Sequence, residues 1–194
     1  AASNTDVDVV LDLMIHDLDL AADLVGRPPE SFTAAGLRIG SATIDHAQAH
    51  LGFGSAPLLD LTASRVTEQK VRCIEVTALD AYVQCDLLSK QISIHRRSFG
   101  EYLRPVRPGG FKYRQESIVE QIHVPVIEPL LLELQSFLGC ISDGEMTLVC
   151  AKSGLDALRL ALDIRAAIQK ELIEVPAPRV FEPEPSQIPV AVSA

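Results

Sequence analysis

Four ionisable side chains recur along the first predicted helix: Asp12, His16, Asp19 and Asp23. Their spacing of four, three and four residues places them on one stripe of an α-helix. A carboxylate one turn from an imidazole favours the charged ring and orients it, so Asp12 and His16 could act as a proton-transfer unit. The alternative is a solvated polar helix face whose histidine has no chemical role.

Other candidate site residues lie on predicted strands. His46 and His50 share a strand face and could bind the metal of a hydrolase, but no cysteine or third histidine lies at ligand spacing, which favours surface histidines. Arg65 could receive an anionic ligand, or it could be a solvated charge at a strand end. The two glycines in the segment 52–54 indicate a hairpin turn, because a dinucleotide fingerprint needs three glycines between a strand and a helix.

Composition excludes several classes of protein. The 194 residues include 26 acidic and 17 basic side chains, giving a net charge of −9. Nucleic acid is therefore not an expected partner, because phosphate binding requires a basic surface. No apolar run approaches the roughly 20 residues of a membrane-spanning helix, so no membrane contact is expected. Four cysteines without a C-x-x-C pair are typical of buried, reduced thiols in a cytoplasmic protein, and no metal site is predicted.

The elements around these residues follow from hydrophobic periodicity. The segment 7–25 predicts a helix whose buried stripe comprises Leu11, Ile15, Leu18, Ala22 and Val25, and Gly26 ends it. From about residue 31 to 126 the period is two, and short links between the strands predict a continuous antiparallel meander. Within this region the segment 104–110, R-P-V-R-P-G-G, predicts a loop.

Two further helices follow the predicted strands. The first begins at Glu128-Pro129, with proline at the first helical position, and ends at Asp143-Gly144. Its apolar stripe comprises Leu130, Leu131, Leu134, Phe137, Leu138 and Ile141. The second is predicted to be capped by Ser153, with Asp156 completing the capping box. Its predicted buried face comprises Leu155, Leu158, Leu162, Ile168 and Leu172.

These elements predict an α+β domain over residues 1–174 and a Pro-rich C-terminal tail over residues 175–194. The domain is a mostly antiparallel, open-faced sheet with helices on one face. The other face still carries Leu, Ile and Val on several strands, so it needs a cover. We expect a second copy of the chain to supply it, through self-association as a dimer or tetramer.

Three motifs in this order resemble the glucose–fructose oxidoreductase / inositol dehydrogenase / MocA (Gfo/Idh/MocA) family. The first is D-x-x-x-H-x-x-D, from Asp12 to Asp19. The second begins with Glu128-Pro129-Leu130 and includes Glu133-Leu134 and Phe137. The third is the final helix, with Gly154-Leu155, Ala157-Leu158 and Ala161-Leu162. The resemblance covers residues 7–173, and the wording D-L-M-I-H-D is most similar to the branch of UDP-N-acetylglucosamine 3-dehydrogenases.

The resemblance implies the C-terminal domain of a two-domain oxidoreductase that uses NAD or NADP to oxidise a CH–OH group of a sugar, nucleotide sugar or cyclitol. It implies that His16 is the catalytic acid/base, with Asp12 as its neighbour in the substrate site, and that Asp19, the last carboxylate of the motif, has a more structural role. Asp19 and Arg65 are the candidate substrate-binding residues. It also implies that this domain forms the oligomer interface of the enzyme.

The chain departs from the family pattern in one large respect. It contains neither the family's glycine-rich loop nor its E-K-P segment, because it begins after the point where both are expected. We therefore expect no Rossmann domain in this chain, no cofactor bound by it and no turnover by it alone, as for a piece of a longer cytoplasmic enzyme. The alternative is a non-enzymatic dimerising scaffold derived from the same family.

Overall fold

A computed structural model describes residues 6–97, 102–106, 110–114, 117–125, 127–147 and 149–176. The fold is α+β, and its two four-stranded sheets are mostly antiparallel, as the alternating pattern predicts. The chain forms two compact units, one from residues 1–67 and 148–194 and one from residues 68–147. The boundary between a domain and a tail at residue 174 stays a prediction, and residues 177–194 lie outside the described part of the chain.

The first unit contains two helices and a sheet. A π-helical turn (Val10–Met14) leads directly into the first helix. The other elements are α1 (Ile15–Val25), β1 (Ser31–Ile39), β2 (His46–Gly52), β3 (Leu58–Ser64), α3 (Ala151–Lys170) and β10 (Ile173–Val175). The strand order is β10-β1-β2-β3, with only the β10–β1 pair parallel. Strand β10 is not predicted from the sequence, which assigns Val175 to the tail.

One face of this sheet forms the core of the first unit. Ala47, Ala49 and Leu51 of β2 are buried, as their alternation with polar neighbours predicts, and the core continues into Phe53 after the strand. The opposite face, here called the polar face, carries His50 of β2 between Thr33 and Asp60 of the adjacent strands. Leu37, Leu58 and Ile173 share this face, and its cover by a second copy of the chain stays a prediction.

The buried stripe of the first helix differs from the prediction by one position. Val10, Met14, Leu18 and Ala21 are buried, whereas Leu11, Ile15, Ala22 and Val25 are only partly buried. The cause is the π-helical turn, whose wider spacing keeps three apolar residues at intervals of four on the same face. Gly26 ends the helix in the left-handed conformation (φ 75°), as predicted.

Helix α3 packs on the sheet through small and β-branched residues. Its buried residues are Ala157, Ala161, Ile164 and Ile168. The helix lies so close to β1 that a Cβ on Gly36 would be 2.5 Å from Cγ2 of Ile168. The predicted burial of Leu155, Leu158 and Leu162 is wrong, because helical spacing places these leucines beside the buried stripe and leaves them exposed. The predicted Ser153 cap is also wrong, since Cys150 occupies the N-cap position.

The second unit contains a second sheet, a hairpin and a helix. Its elements are β4 (Cys73–Thr77), β5 (Ala81–Asp86), β6 (Gln91–Arg97), β7 (Tyr102–Val106), β8 (Gly110–Arg114), β9 (Ser117–His123) and α2 (Pro129–Asp143). The sheet has the order β4-β5-β6-β9, and every neighbouring pair is antiparallel. The expectation of one continuous meander is wrong between β3 and β4, because residues 65–72 form bends that end the first sheet.

The predicted loop at residues 104–110 is a strand hairpin instead. Strands β7 and β8 pair from Tyr102↔Arg114 to Val106↔Gly110, with residues 107–109 outside the described part of the chain. Pro105 lies within β7, and a two-stranded hairpin tolerates it because each strand has a free edge. The prolines therefore mark an edge strand rather than a loop.

Helix α2 begins and ends where the sequence predicts. The Oε2 of Glu128 accepts a 2.7 Å hydrogen bond from the backbone N–H of Leu131, Pro129 is the first helical residue, and Gly144 ends the helix with φ 70°. The helix buries none of its residues, so its predicted apolar stripe is exposed. Among the residues of the second unit whose burial is described, none is buried.

Candidate active site

Asp12 and His16 lie on the solvent side of the first helix. Both side chains are exposed, as is Asp23, and Asp19 is partly exposed. Val10 is two residues before Asp12, and Met14 is two residues before His16. Because Val10 and Met14 are buried, Asp12 and His16 lie on the opposite, exposed side of the helix. The shared stripe predicted from the spacing is therefore accessible to a ligand from solvent.

No hydrogen bond or ion pair among the described residues joins Asp12 to His16. An exposed imidazole with unengaged ring nitrogens can accept a proton from a bound hydroxyl group. A neighbouring carboxylate stabilises the imidazolium that results. The arrangement fits proton transfer to and from a ligand placed over this face, and the catalytic roles of both residues stay predictions.

The segment before the helix is held by four contacts that the sequence analysis missed. The Oδ1 of Asp8 accepts hydrogen bonds of 3.1 Å from the backbone N–H groups of Val10 and Leu11. Oδ2 of the same carboxylate lies 2.7 Å from Nε of Arg165 on α3. The backbone N–H of Val9 donates to the carbonyl of Ile44 at 3.0 Å. An Asp two residues before a helical apolar run is a capping signal, and it could have identified Asp8.

Arg65 is mostly buried, with its side chain 11% exposed. Its guanidinium donates to the backbone carbonyl of Val7 and to that of Ile44, the latter at 3.4 Å, and its Nε lies 3.6 Å from Oδ1 of Asp45. These contacts tie the end of β3 to the segment that leads into the first helix. Substrate binding by Arg65 stays a prediction, and the observed contacts give it a structural role.

Asp45 is a buried carboxylate that organises the turn between β1 and β2. Its Oδ2 accepts hydrogen bonds from the backbone N–H of Ile39 at 2.7 Å and from the hydroxyl of Ser41 at 2.6 Å. Its position on the core side of the alternating segment, next to buried Ala47, marks it as a polar residue that needs internal partners. Its contacts are structural and do not extend to His16.

The two strand histidines lie on the polar face of the first sheet. His50 is exposed, and its Nδ1 is hydrogen-bonded to Oδ1 of Asp60, which is directly opposite on β3. His46 is partly buried. Within the described residues no group of three or more His, Cys, Asp or Glu side chains is arranged to hold a metal ion.

The four cysteines are free thiols, and none of them is buried. The predicted burial is therefore wrong. Cys150 has the most distinctive environment, because it precedes the first residue of α3. The backbone N–H of Ser153, its hydroxyl group and the backbone N–H of Lys152 lower the pKa of the Cys150 thiol. Among the described helices, none has the length and apolar character to cross a bilayer.

Comparison with known proteins shows what the chain resembles. Residues 3–83 match the family model described as "GFO/IDH/MocA C-terminal domain". This part of the chain is similar to the C-terminal domain of that family. The chain is 30% identical over 164 residues to the UDP-N-acetylglucosamine 3-dehydrogenase of Acidithiobacillus ferrooxidans, a match that covers 84% of this chain and 50% of the relative. The chain therefore spans about half the length of this relative.

Solved structures support the same assignment of the Gfo/Idh/MocA domain. The structure of the A. ferrooxidans enzyme matches with a TM-score of 0.72 and 28% identity, covering 88% of this chain and 51% of that one. A Klebsiella pneumoniae NAD binding oxidoreductase matches with a TM-score of 0.64 and 14% identity, covering 82% and 48% of the two chains. At that identity the likeness shows the fold alone. The α+β fold predicted from the order of helices and strands is confirmed.

Proposed function

We propose that this chain is the substrate-binding and oligomerisation domain of an NAD(P)-dependent oxidoreductase that acts on a CH–OH group of a sugar, nucleotide sugar or cyclitol. The observation that supports the proposal is the exposed Asp12/His16 pair in a domain similar to that of a UDP-N-acetylglucosamine 3-dehydrogenase. A scaffold has no use for an imidazole one helical turn from a carboxylate on an accessible face.

The described residues do not fit a dinucleotide. The glycines of the segment 52–54 lie where the antiparallel strands β2 and β3 meet, and not between a strand and a helix. The nicotinamide cofactor supplies the hydride acceptor for alcohol oxidation, and in this proposal it is held outside the described residues. The contribution of this chain is the proton: His16 accepts the hydroxyl proton as the carbonyl forms, and Asp12 stabilises the imidazolium.

Two further residues are proposed to face the substrate. Asp19 lies one turn beyond His16 and is partly exposed, so its carboxylate can accept hydrogen bonds from sugar hydroxyl groups. Arg65 is the second, although its side chain is already committed to Val7, Ile44 and Asp45. Of the two, Asp19 is the better placed, because no described ion pair occupies its carboxylate.

A substrate panel tests the proposed reaction. The protein that contains this chain, at its full length, is incubated with NAD⁺ or NADP⁺ and with UDP-N-acetylglucosamine, UDP-glucose, glucose or myo-inositol. We expect nucleotide reduction with at least one of these alcohols and none with the 194-residue chain alone, because in this proposal the cofactor is held outside the described residues. Absence of turnover with all four alcohols and both nucleotides would contradict the proposal and favour a scaffold.

The composition of the second sheet supports self-association. One of its faces is mostly apolar, although the ion pair of Arg96 with Glu120 lies on the same face. The register places the following residues on that face: Ile74, Val76, Val83, Cys85, Ile92, Ile94, Ile118 and Ile122. The other face carries Glu75, Gln84, Ser93 and Gln121. An apolar face of this kind in a unit without a described buried residue needs a cover, and a second copy of the chain can supply it. Self-association fits both the enzyme and the scaffold.

Adjacent residues of β9 allow a matched test of self-association. Ile122→Lys places a charge on the apolar face, whereas Gln121→Lys places the same charge on the polar face. Because a desolvated lysine without a partner is strongly unfavourable in an interface, we expect Ile122→Lys to convert the oligomer to monomer. Light scattering after size-exclusion chromatography measures the mass. A wild-type chain that is monomeric at micromolar concentration, or an Ile122→Lys variant that stays oligomeric, would contradict this interface.

A cytoplasmic location is part of the proposal. It is supported by the four free thiols and by the absence of a C-x-x-C pair in the sequence.

A further inference from the structure

The π-helical turn is the least ordinary feature of the candidate active site. Such turns are rare, and they occur often at functional sites. Here the turn covers Val10–Met14 and therefore contains Asp12, and the α-helix that begins at Ile15 presents His16 in its first turn. The rotation of the turn about the helix axis decides where both side chains point. The residues that hold the start of the turn therefore control the orientation of Asp12 and His16.

Asp8 is the residue at that start, and its surroundings are unusual for a carboxylate. It is 4% exposed, among the most buried charged residues of the described chain. Its Oδ1 accepts hydrogen bonds from the backbone N–H groups of Val10 and Leu11, which have no partner within the helix. The backbone carbonyl of Asp8 accepts a 3.0 Å hydrogen bond from the N–H of Asp12. A single residue therefore holds both the first N–H groups of the turn and the backbone of Asp12.

Arg165 anchors Asp8 to the core. Its Nε lies 2.7 Å from Oδ2 of Asp8, and it projects from α3 one residue after buried Ile164. Because α3 packs tightly on β1, the guanidinium is carried by a rigid element. The contact is an ion pair and not an aligned hydrogen bond, since Nε of Arg165 has no hydrogen-bond partner among the described residues. Its attraction holds the carboxylate of Asp8 toward α3. The contact therefore fixes the position of the first helix relative to α3 at the point where the π-helical turn begins.

We propose that Asp8 and Arg165 are positioning residues: their buried ion pair sets the rotation of the π-helical turn and so the orientation of Asp12 and His16. The inference rests on the proposed role of His16 as the acid/base. Neither residue contacts the solvent face that carries His16, so their effect on turnover is exerted through the helix backbone. Two properties of Asp8 act separately. Its acceptor oxygen binds the N–H groups of the π-helical turn, and its charge attracts Arg165.

Three variants separate these contributions. Asp8→Ala removes the acceptor and the charge, Asp8→Asn keeps an acceptor oxygen for the two N–H groups, and Arg165→Gln removes the partner from a side chain that is partly exposed. Asp23→Ala is the control, because Asp23 is an exposed aspartate near the end of the same helix. If Asp8→Ala does not fold, Asp8→Asn and Arg165→Gln carry the test.

The first measurement uses the 194-residue chain and does not depend on activity. We expect Asp8→Ala and Arg165→Gln to shift the NMR signals of the His16 ring and of the backbone amides of residues 12–16, while the amides of β2 keep their positions and hydrogen-exchange protection. Asp8→Asn keeps an acceptor oxygen for the turn but loses the charge that pairs with Arg165, so its shifts should be smaller than those of Asp8→Ala and resemble those of Arg165→Gln. His16 signals that stay unchanged in both Asp8→Ala and Arg165→Gln would overturn the inference, whatever the reaction of the enzyme.

The second measurement uses the full-length protein with UDP-N-acetylglucosamine and a nicotinamide nucleotide. Misplacement of a catalytic group reduces turnover more than binding, so we expect Asp8→Ala to lower kcat about 10- to 100-fold with little change in KM. Asp8→Asn should lose less of kcat than Asp8→Ala, and Asp23→Ala should resemble wild type. An unchanged kcat in a folded Asp8→Ala protein would overturn the inference. An inactive wild-type protein would instead count against the proposed function alone, because the NMR result stands independently.

Discussion

His16→Ala in the full-length protein is expected to lower kcat at least about a hundredfold, the smallest effect usual for loss of a general acid/base. The imidazole is exposed on the accessible stripe of the first helix, so its removal leaves the core residues Met14 and Leu18 in place. The loss should therefore appear in kcat with little change in stability. Steady-state oxidation of the best alcohol from the substrate panel, followed through nucleotide reduction, measures it.

A second histidine provides the control for this prediction. His50 is also exposed, but it lies on the polar face of the first sheet and is hydrogen-bonded to Asp60. His50→Ala should retain most of kcat, because the polar face of the first sheet is turned away from the helices that pack on its other face. A His16→Ala enzyme with most of its wild-type rate would remove His16 from the acid/base role. Equal losses in both variants would point to a general effect of histidine removal instead.

Leu51→Ala is expected to destabilise the first unit by about 2–5 kcal/mol, the usual range for a buried leucine whose cavity collapses incompletely. Leu51 is 0% exposed and belongs to the core formed by β2, the first helix and α3. The site is enclosed by close-packed residues, including Met14 and Ile164, so little relaxation is available. Urea denaturation followed through the NMR signals of β2 gives the free energy of unfolding of this unit.

The same substitution at an exposed leucine shows whether burial is the cause. Leu79 is 102% exposed in the turn between β4 and β5, so Leu79→Ala should change the free energy of unfolding by less than about 0.5 kcal/mol. A Leu51→Ala chain as stable as the Leu79→Ala chain would show that β2 does not have the core position described for it.

Local signals predicted the ends of the elements well. Gly26 and Gly144 end their helices in the left-handed conformation that glycine adopts without strain, and Pro129 begins α2 where its missing N–H costs nothing. The alternation around Ala47 and Ala49 predicted the buried face of β2, because a strand has a period of two whatever its partners are. Asp12 and His16 were placed on one exposed stripe for a similar reason, since their spacing is a local property.

Non-local packing decided the features that could not be predicted. The π-helical turn has no marker in the sequence, and it moved the buried stripe from Leu11 and Ile15 to Val10 and Met14. The leucines of α3 are more hydrophobic than its alanines, yet the buried side of the helix carries Ala157 and Ala161. The Asp8–Arg165 pair joins residues far apart in the sequence, so only the fold could reveal it.

The order of the elements along the chain has a consequence for synthesis. Strand β10 pairs with β1, and α3 covers the core of the first unit, yet both are made by the ribosome after the whole of the second unit. Val10, Met14 and Leu51 therefore emerge long before the helix that shields them from water. A nascent chain interrupted anywhere before α3 exposes this apolar surface, and it is a natural target for chaperones and proteases during translation.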